Sequence, residues 1–194
     1  MASEMTIVVL FSGTGTNLEN LIRHFHGRRF GERRCTIVPV TNRPDAGGIE
    51  RARRYGIETV VIDHRNFEER ESFDARLVET IESFAPDLVV MAGFMRILTP
   101  VFTSRIEAIN LHPSLLPLFK GADAIRKSFE SGMKVGGVTV HRVTQELDSG
   151  EILAQACVSI ERSDTLESFT RKIRQLEHRL LPEVVRDLLD LSDR

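Results

Sequence analysis

Only two cysteines, Cys35 and Cys157, occur in 194 residues. They lie far apart and without metal-ligand spacing, so neither a disulfide scaffold nor a zinc module is expected. No apolar run approaches the roughly 18 residues of a membrane helix, and no charged-then-apolar leader opens the chain, so neither membrane insertion nor secretion is expected. A surplus of one charge is also missing. The 28 acidic and 26 basic residues leave a formal charge of -2, whereas a domain that wraps nucleic acid is normally clearly basic. Internal repeats, low-complexity tracts and linkers are absent too, and a single domain over residues 1–194 is expected. What is present is ordinary: 41% hydrophobic residues and 13 glycines, the composition of a globular protein. A domain of this length buries roughly 70% of its unfolded surface and needs no staple to fold. The expectation is a soluble, cytoplasmic α/β protein.

Thr6–Phe11 is a short continuous apolar run ending in a glycine turn, the pattern of a strand buried on both faces. Leu18, Leu21, Ile22 and Phe25 follow at helical spacing. Thr36–Val40 predicts a second strand, and Ala46–Tyr55 a second helix with Gly56 just past its end. Thr59–Ile62 is short and β-branched. Phe73, Leu77, Val78, Ile81 and Phe84 form another helical stripe, which Pro86 stops before Leu88–Met91 returns to strand. Such alternation predicts βαβ units, hence a parallel sheet with helices on both faces.

The pattern then changes. Ala108–His112 is a short strand running into Pro113-Ser-Leu-Leu-Pro117, and Ala122–Ser131 reads as helix. Val138, Val140 and Val143, then Ile152–Ile160, read as two strands joined by the turn around Asp148-Ser-Gly150. A connection that short predicts antiparallel pairing and a mixed sheet edge. Asp164 with Glu167 suggests the capped start of a last helix, whose stripe runs through Leu166, Phe169, Ile173, Leu176 and Leu180. Pro182 should kink or restart that helix before Val184, Val185, Leu188 and Leu189.

Ser12-Gly-Thr-Gly-Thr-Asn17 lies between the first strand and first helix, where free N–H groups and a positive dipole end can meet an anion. The dinucleotide fingerprint would need glycine or alanine at Leu18 and an acidic residue about 20 positions on; both are missing. No Gly-Lys-Ser/Thr follows, which excludes a Walker loop. The loop suits a single phosphate, or is a plain βα turn. Asn110 and His112 lie two apart in a strand and so share a face, with Leu111 behind. An amide beside an imidazole can hold an oxyanion and move a proton, although such a pair can equally be satisfied core groups. Asp148, before Ser149 and Gly150, is also ordinary turn chemistry. No nucleophile with a matching base is evident, so no covalent acyl-enzyme is suggested. His24 and His26 sit among Arg28, Arg29, Arg33 and Arg34 in what reads as a solvated connection. His64 falls in a polar loop, and His141, alternating with apolar neighbours, reads as structural.

Taken together, five stretches resemble the phosphoribosylglycinamide formyltransferase family, in order and over most of the chain. They are Ser12–Leu18, Asn42–Gly56 (NRPDAGGIERARRYG), Ala85–Leu98, Asn110-Leu-His-Pro-Ser-Leu-Leu-Pro117 and Glu146-Leu-Asp-Ser-Gly150. The resemblance implies a Rossmann-like three-layer α/β fold: a mostly parallel sheet with an antiparallel edge and helices on both faces. It implies Asn110, His112 and Asp148 as a catalytic trio. Gly15, Thr16 and Asn17 match the loop that holds the ribonucleotide phosphate, and Glu177 matches a residue near the glycinamide end. Arg70, Met95, Arg96, Ile97 and Leu98, with Thr144, Gln145, Glu146, Leu147 and Asp148, match the walls of a folate pocket that Asn110 also adjoins. After Lys120-Gly121 the chain reads Ala-Asp-Ala-Ile-Arg126, where many members carry histidines.

The implied reaction is attack of the glycinamide amine on the formyl carbon of 10-formyltetrahydrofolate, a co-substrate, with no metal required. Asn110 and protonated His112 would stabilise the tetrahedral oxyanion, and Asp148 would support the charged imidazole. Small-molecule substrates are expected as partners, without nucleic acid or membrane, and a homodimer is compatible. Formyltetrahydrofolate deformylase shares such a trio but usually carries an N-terminal regulatory domain. Methionyl-tRNA formyltransferase should carry a C-terminal RNA-binding domain. A non-catalytic nucleotide-binding module would have no need of all three trio residues.

Overall fold

The computed structural model describes residues 4–191. An eight-stranded sheet forms the middle layer. β1 (Glu4–Phe11) is central, flanked in parallel by β3 (Arg33–Thr41) on one side and β5 (Leu88–Met91) on the other. β4 (Val60–Val61) extends the sheet beyond β3, and β6 (Ala108–His112) lies beyond β5, both also parallel. β7 (Val135–Arg142) and β8 (Ile152–Ser159) then close the edge in antiparallel fashion, as the short Asp148 turn requires.

The continuous apolar run of β1 is explained by two buried faces. Met5, Ile7, Val9 and Phe11 enter one apolar layer, while Val8 and Leu10 enter the other. The first layer is closed by α1 (Thr16–Phe25), α2 (Gly47–Arg53), α5 (Ala124–Glu130) and α6 (Leu166–Leu188). The second is closed by α3 (Arg70–Ser83) and the short α4 (Pro100–Thr103). Leu18, Leu21, Ile22 and Phe25 are all buried on α1, each contributing about 1.5–3 kcal/mol relative to exposure.

Several local expectations are corrected. The region after His26 is not simply a solvated connection: β2 (Arg29–Phe30) folds back antiparallel on β3, and His26 Nδ1 accepts the Ile37 N–H at 3.1 Å. The last helix is capped one residue later than the sequence suggests. Thr165 accepts the Ser168 N–H and Ser168 Oγ returns to the Thr165 N–H, while Asp164 accepts from Ser168 Oγ, Lys172 and the Glu161 N–H. Nor does Pro182 divide α6, which runs unbroken from Leu166 to Leu188. An interior proline costs about 3 kcal/mol, but Leu180, Leu181, Val184 and Val185 are buried around it, and their packing outweighs that cost.

Sheet order also determines where a ligand can sit. The connections run to one side of β1 as far as β4 and to the other from β5 onward, so a crevice opens at the C-terminal ends of β1 and β5. Ser12, directly after β1, ties its walls together. Its N–H donates to the Gly93 carbonyl (3.0 Å), its Oγ donates to Asn42 Oδ1 (2.6 Å), and the Met95 N–H donates to Ser12 Oγ (2.7 Å).

Candidate functional site

Strand alternation selects which side chains of β6 and β7 meet. Ile109 and Leu111 of β6, and Val138 and Val140 of β7, point into the first apolar layer. Asn110, His112, Thr139 and His141 therefore share the opposite face. Antiparallel register sets Asn110 opposite His141 and His112 opposite Thr139. Asp148 reaches the same place from the β7–β8 turn, in the left-handed region at φ 49°, which aspartate tolerates better than most residues.

The result is a chain of polar groups in which His112, His141 and Asp148 are buried and Asn110 is partly buried. Asp148 Oδ2 lies 3.3 Å from His112 Nδ1, and Oδ1 lies 3.5 Å from His141 Nε2. His112 Nε2 is 2.9 Å from the Phe119 carbonyl, and His141 Nδ1 is 2.8 Å from the Arg142 carbonyl. Asn110 Nδ2 completes the group at 3.1 Å from His141 Nε2. Both nitrogens of His112 thus face oxygen atoms, Asp148 Oδ2 and the Phe119 carbonyl, that can accept a proton donor. The side chains of His112 and Asp148 are only 7% and 6% exposed. Burial alone would push the Asp148 carboxyl up. Hydrogen bonds from His141 and the Gly121 N–H (2.8 Å), with the charges of His112 and His141, more than offset this and hold it below the usual carboxylate range. Asp148 is therefore an anion at neutral pH.

Sequence reasoning missed His141 as a member of this group. The available signal was its place two residues from Thr139, on the face that the valines leave; its partner strand is not a local property. Ser12 was missed as a tie between loops, signalled only by a small polar residue at a strand end. Among the described residues no three His, Cys, Asp or Glu side chains gather in a way that could hold a metal ion, and no helix is long and apolar enough to cross a membrane.

The segment after β6 folds over the cluster. Besides the contacts of Phe119 and Gly121, Lys120 Nζ donates to Ser149 Oγ and lies 3.6 Å from Glu146 Oε1. Beside it opens a cleft of about 230 Å³ that includes Asp148, Leu116, Pro117, Glu146 and Ile152.

The glycine loop and Glu177 also come together. Gly15 is left-handed at φ 71°, and a Cβ there would stand 2.4 Å from Gly48 Cα, so this position admits only glycine. Asn17 Nδ2 donates to Glu177 Oε2 at 3.0 Å across 160 residues. Asn17 is 9% exposed, and its buried Oδ1 has no partner among the described residues. Burial pushes the Glu177 carboxyl up, against the amide of Asn17 and the charge of Arg174.

The remaining expected residues lie on three separate segments. Met95 and Ile97 are exposed and Leu98 is buried, while Arg96 stacks over Phe73 at 5.2 Å. Asp74, buried on α3, accepts both the N–H (2.6 Å) and the hydroxyl (2.7 Å) of Thr99, which pins the end of this loop. Burial pushes the Asp74 carboxyl up despite these bonds. Thr144, Gln145, Glu146 and Leu147 are exposed beside Asp148. Arg70 stands exposed one turn before Phe73 and, among the described residues, makes no hydrogen bond to the central cluster.

A sequence profile described as formyl transferase matches residues 5–185. The phosphoribosylglycinamide formyltransferase of Escherichia coli (strain K12) is 40% identical over 184 residues, covering 93% of this chain and 85% of that protein. The trifunctional purine biosynthetic protein adenosine-3 of Gallus gallus is 40% identical over 183 residues. This chain spans 18% of the length of that larger relative, with 93% of its own residues covered. Among solved structures, the phosphoribosylglycinamide formyltransferase of Campylobacter jejuni superposes with a TM-score of 0.92 at 50% identity, covering 97% of this chain and 100% of that one.

Proposed function

The chain belongs to the formyl transferase family, and from that premise we propose that it carries the formyl group of 10-formyltetrahydrofolate to the amine of glycinamide ribonucleotide in purine biosynthesis, as one formyltransferase domain. The observation that carries this reading is the largely buried Asn110–His141–Asp148–His112 cluster at the end of β6, beside the crevice between β1 and β5. Formyl transfer is redox-neutral and needs three things: an amine held near the formyl carbon, support for the oxyanion, and a route for protons.

Attack forms the new C–N bond and moves the carbonyl electron pair onto oxygen. The Asn110 amide and the His112 Nε2–H would hold that oxyanion, donors whose contacts strengthen as charge develops. For His112 to do so, the Phe119 carbonyl now on Nε2 must give way to substrate. On collapse the folate N10 leaves and needs a proton while the attacking nitrogen must lose one. His112, backed by ionised Asp148, would serve both transfers. His141 would orient Asp148 by donating its Nε2–H, with Nδ1 held by the Arg142 carbonyl.

The N–H groups from Gly15 to Asn17 would hold the phosphate at the start of α1, and the orphaned Asn17 Oδ1 and Glu177 would meet the glycinamide end. The folate would lie between the 95–98 and 144–148 segments, where Met95, Ile97 and Leu147 offer exposed apolar surface. A formyl-transfer assay with both substrates tests the reading, with a water-only reaction alongside. Formyl transfer that requires the ribonucleotide is expected. Formate release at the same rate without it would assign the site to hydrolysis, and no thermal stabilisation by a saturating deazafolate analogue would remove folate altogether.

A further inference from the structure

One carboxylate stands where an anion-binding loop is ill served by it. Glu19 lies in the first turn of α1 and its side chain is only 12% exposed, so its charge would repel a phosphate held at that helix start. Arg23 bonds Glu19 at 2.7 Å but is 63% exposed and well screened. Arg51, reaching over from α2, is more enclosed, with its side chain 32% exposed. Its Nη1 pairs with Glu19 Oε2, and its Nε donates to the Thr14 carbonyl at 2.8 Å. That second bond has a geometric consequence. The Thr14 carbonyl and the Gly15 N–H belong to one trans peptide unit and point in opposite directions. Holding the carbonyl toward α2 therefore turns the Gly15 N–H the other way, away from Arg51. A planar fork that grips a carbonyl and a carboxylate together is a task for arginine.

We propose that Arg51 is a positioning residue for the phosphate loop: it orients the Thr14–Gly15 peptide and offsets the charge of Glu19, without touching the phosphate itself. This rests on the proposed reading that the substrate carries a phosphate at this loop. The test compares wild type and Arg51→Met with glycinamide ribonucleotide and with glycinamide riboside, which lacks the phosphate. Losing a hydrogen bond to a charged group should raise the ribonucleotide KM about tenfold, with kcat little changed and the riboside kcat/KM unaltered. Equal kcat/KM of wild type for the two substrates would sink the phosphate-loop reading itself. If wild type prefers the ribonucleotide and Arg51→Met lowers both substrates alike, the loop reading stands and the role of Arg51 is refuted. Should Arg51→Met fail to fold, Glu19→Gln decides by inhibition with inorganic phosphate. Stronger inhibition than in wild type supports the offset of charge; unchanged or weaker inhibition overturns it.

Discussion

Replacing Asp148 by Asn keeps the shape of the turn and removes its charge. The amide oxygen can still accept the Gly121 N–H that Asp148 now takes at 2.8 Å, and the new NH2 can face His141 Nε2, so the fold should survive. What is lost is the attraction between a carboxylate and the His112 imidazolium at 3.3 Å. At an effective dielectric of about 20 that attraction is about 5 kcal/mol. A neutral hydrogen bond in its place recovers about 1.5 kcal/mol, and relief from burying an anion recovers a further portion. A net loss of about 3 kcal/mol in the transition state is a rate decrease of roughly 10², within the range for removing a preorganised electrostatic partner. The assay is kcat and KM for both substrates, with Tm measured on the same preparations. The reasoning expects kcat to fall about a hundredfold, KM to change little and Tm to hold. His112→Ala should behave similarly, and the His112/Asp148 double variant should fall well short of the product of the single losses. Near wild-type kcat in Asp148→Asn would refute the assignment; a lowered Tm with normal activity per folded molecule would make the residue structural.

His141→Gln removes the Nε2 that faces both Asp148 Oδ1 and Asn110 Nδ2, and a kcat loss of about tenfold is expected from the displaced groups; unchanged kinetics would reduce His141 to packing. Gly15→Ala puts a Cβ 2.4 Å from Gly48 Cα at positive φ, so a stability loss of about 2 kcal/mol or more is expected by thermal or denaturant unfolding. Gly13→Ala meets nothing within 4 Å and should keep its Tm. Burial, with the nearby charge of Asp87, pushes the Cys35 thiol up to about 12, while Cys157 is exposed. A thiol reagent at pH 8 should therefore titrate one cysteine in the native protein and two in denaturant. Lys172, with Ser168 and the Glu161 N–H, holds the Asp164 carboxyl down to about 2. A lowered folded pKa contributes stability above the ordinary carboxylate range and loses it as pH falls through the folded value. The Tm deficit of Asp164→Asn should accordingly be largest above pH 5 and shrink toward pH 2; a deficit independent of pH would count against the ion pair.

The spacing of apolar residues in the sequence already determines which face of each element is buried, because period 3.6 and period 2 are properties of a few neighbouring residues. Leu18, Leu21, Ile22 and Phe25 identify the buried stripe of α1, and Thr6–Phe11 identifies a strand covered on both sides. The two-residue step from Asn110 to His112 likewise makes them face one way before any partner is known. Cap positions are less legible: Asp164 suits a helix start by residue type, and only the folded chain decides that Thr165 caps it instead. Pro182 carries a local penalty of about 3 kcal/mol that nothing nearby in sequence cancels, yet α6 passes through it because buried side chains on either side anchor the helix. The site itself depends most on tertiary structure. His141 meets Asn110 through the antiparallel register of β7 on β6, and Asn17 meets Glu177 from opposite ends of the chain. Such pairings are set by which strands and helices lie side by side, and that choice is made by burying both faces of the whole sheet at once, not by any short stretch of residues.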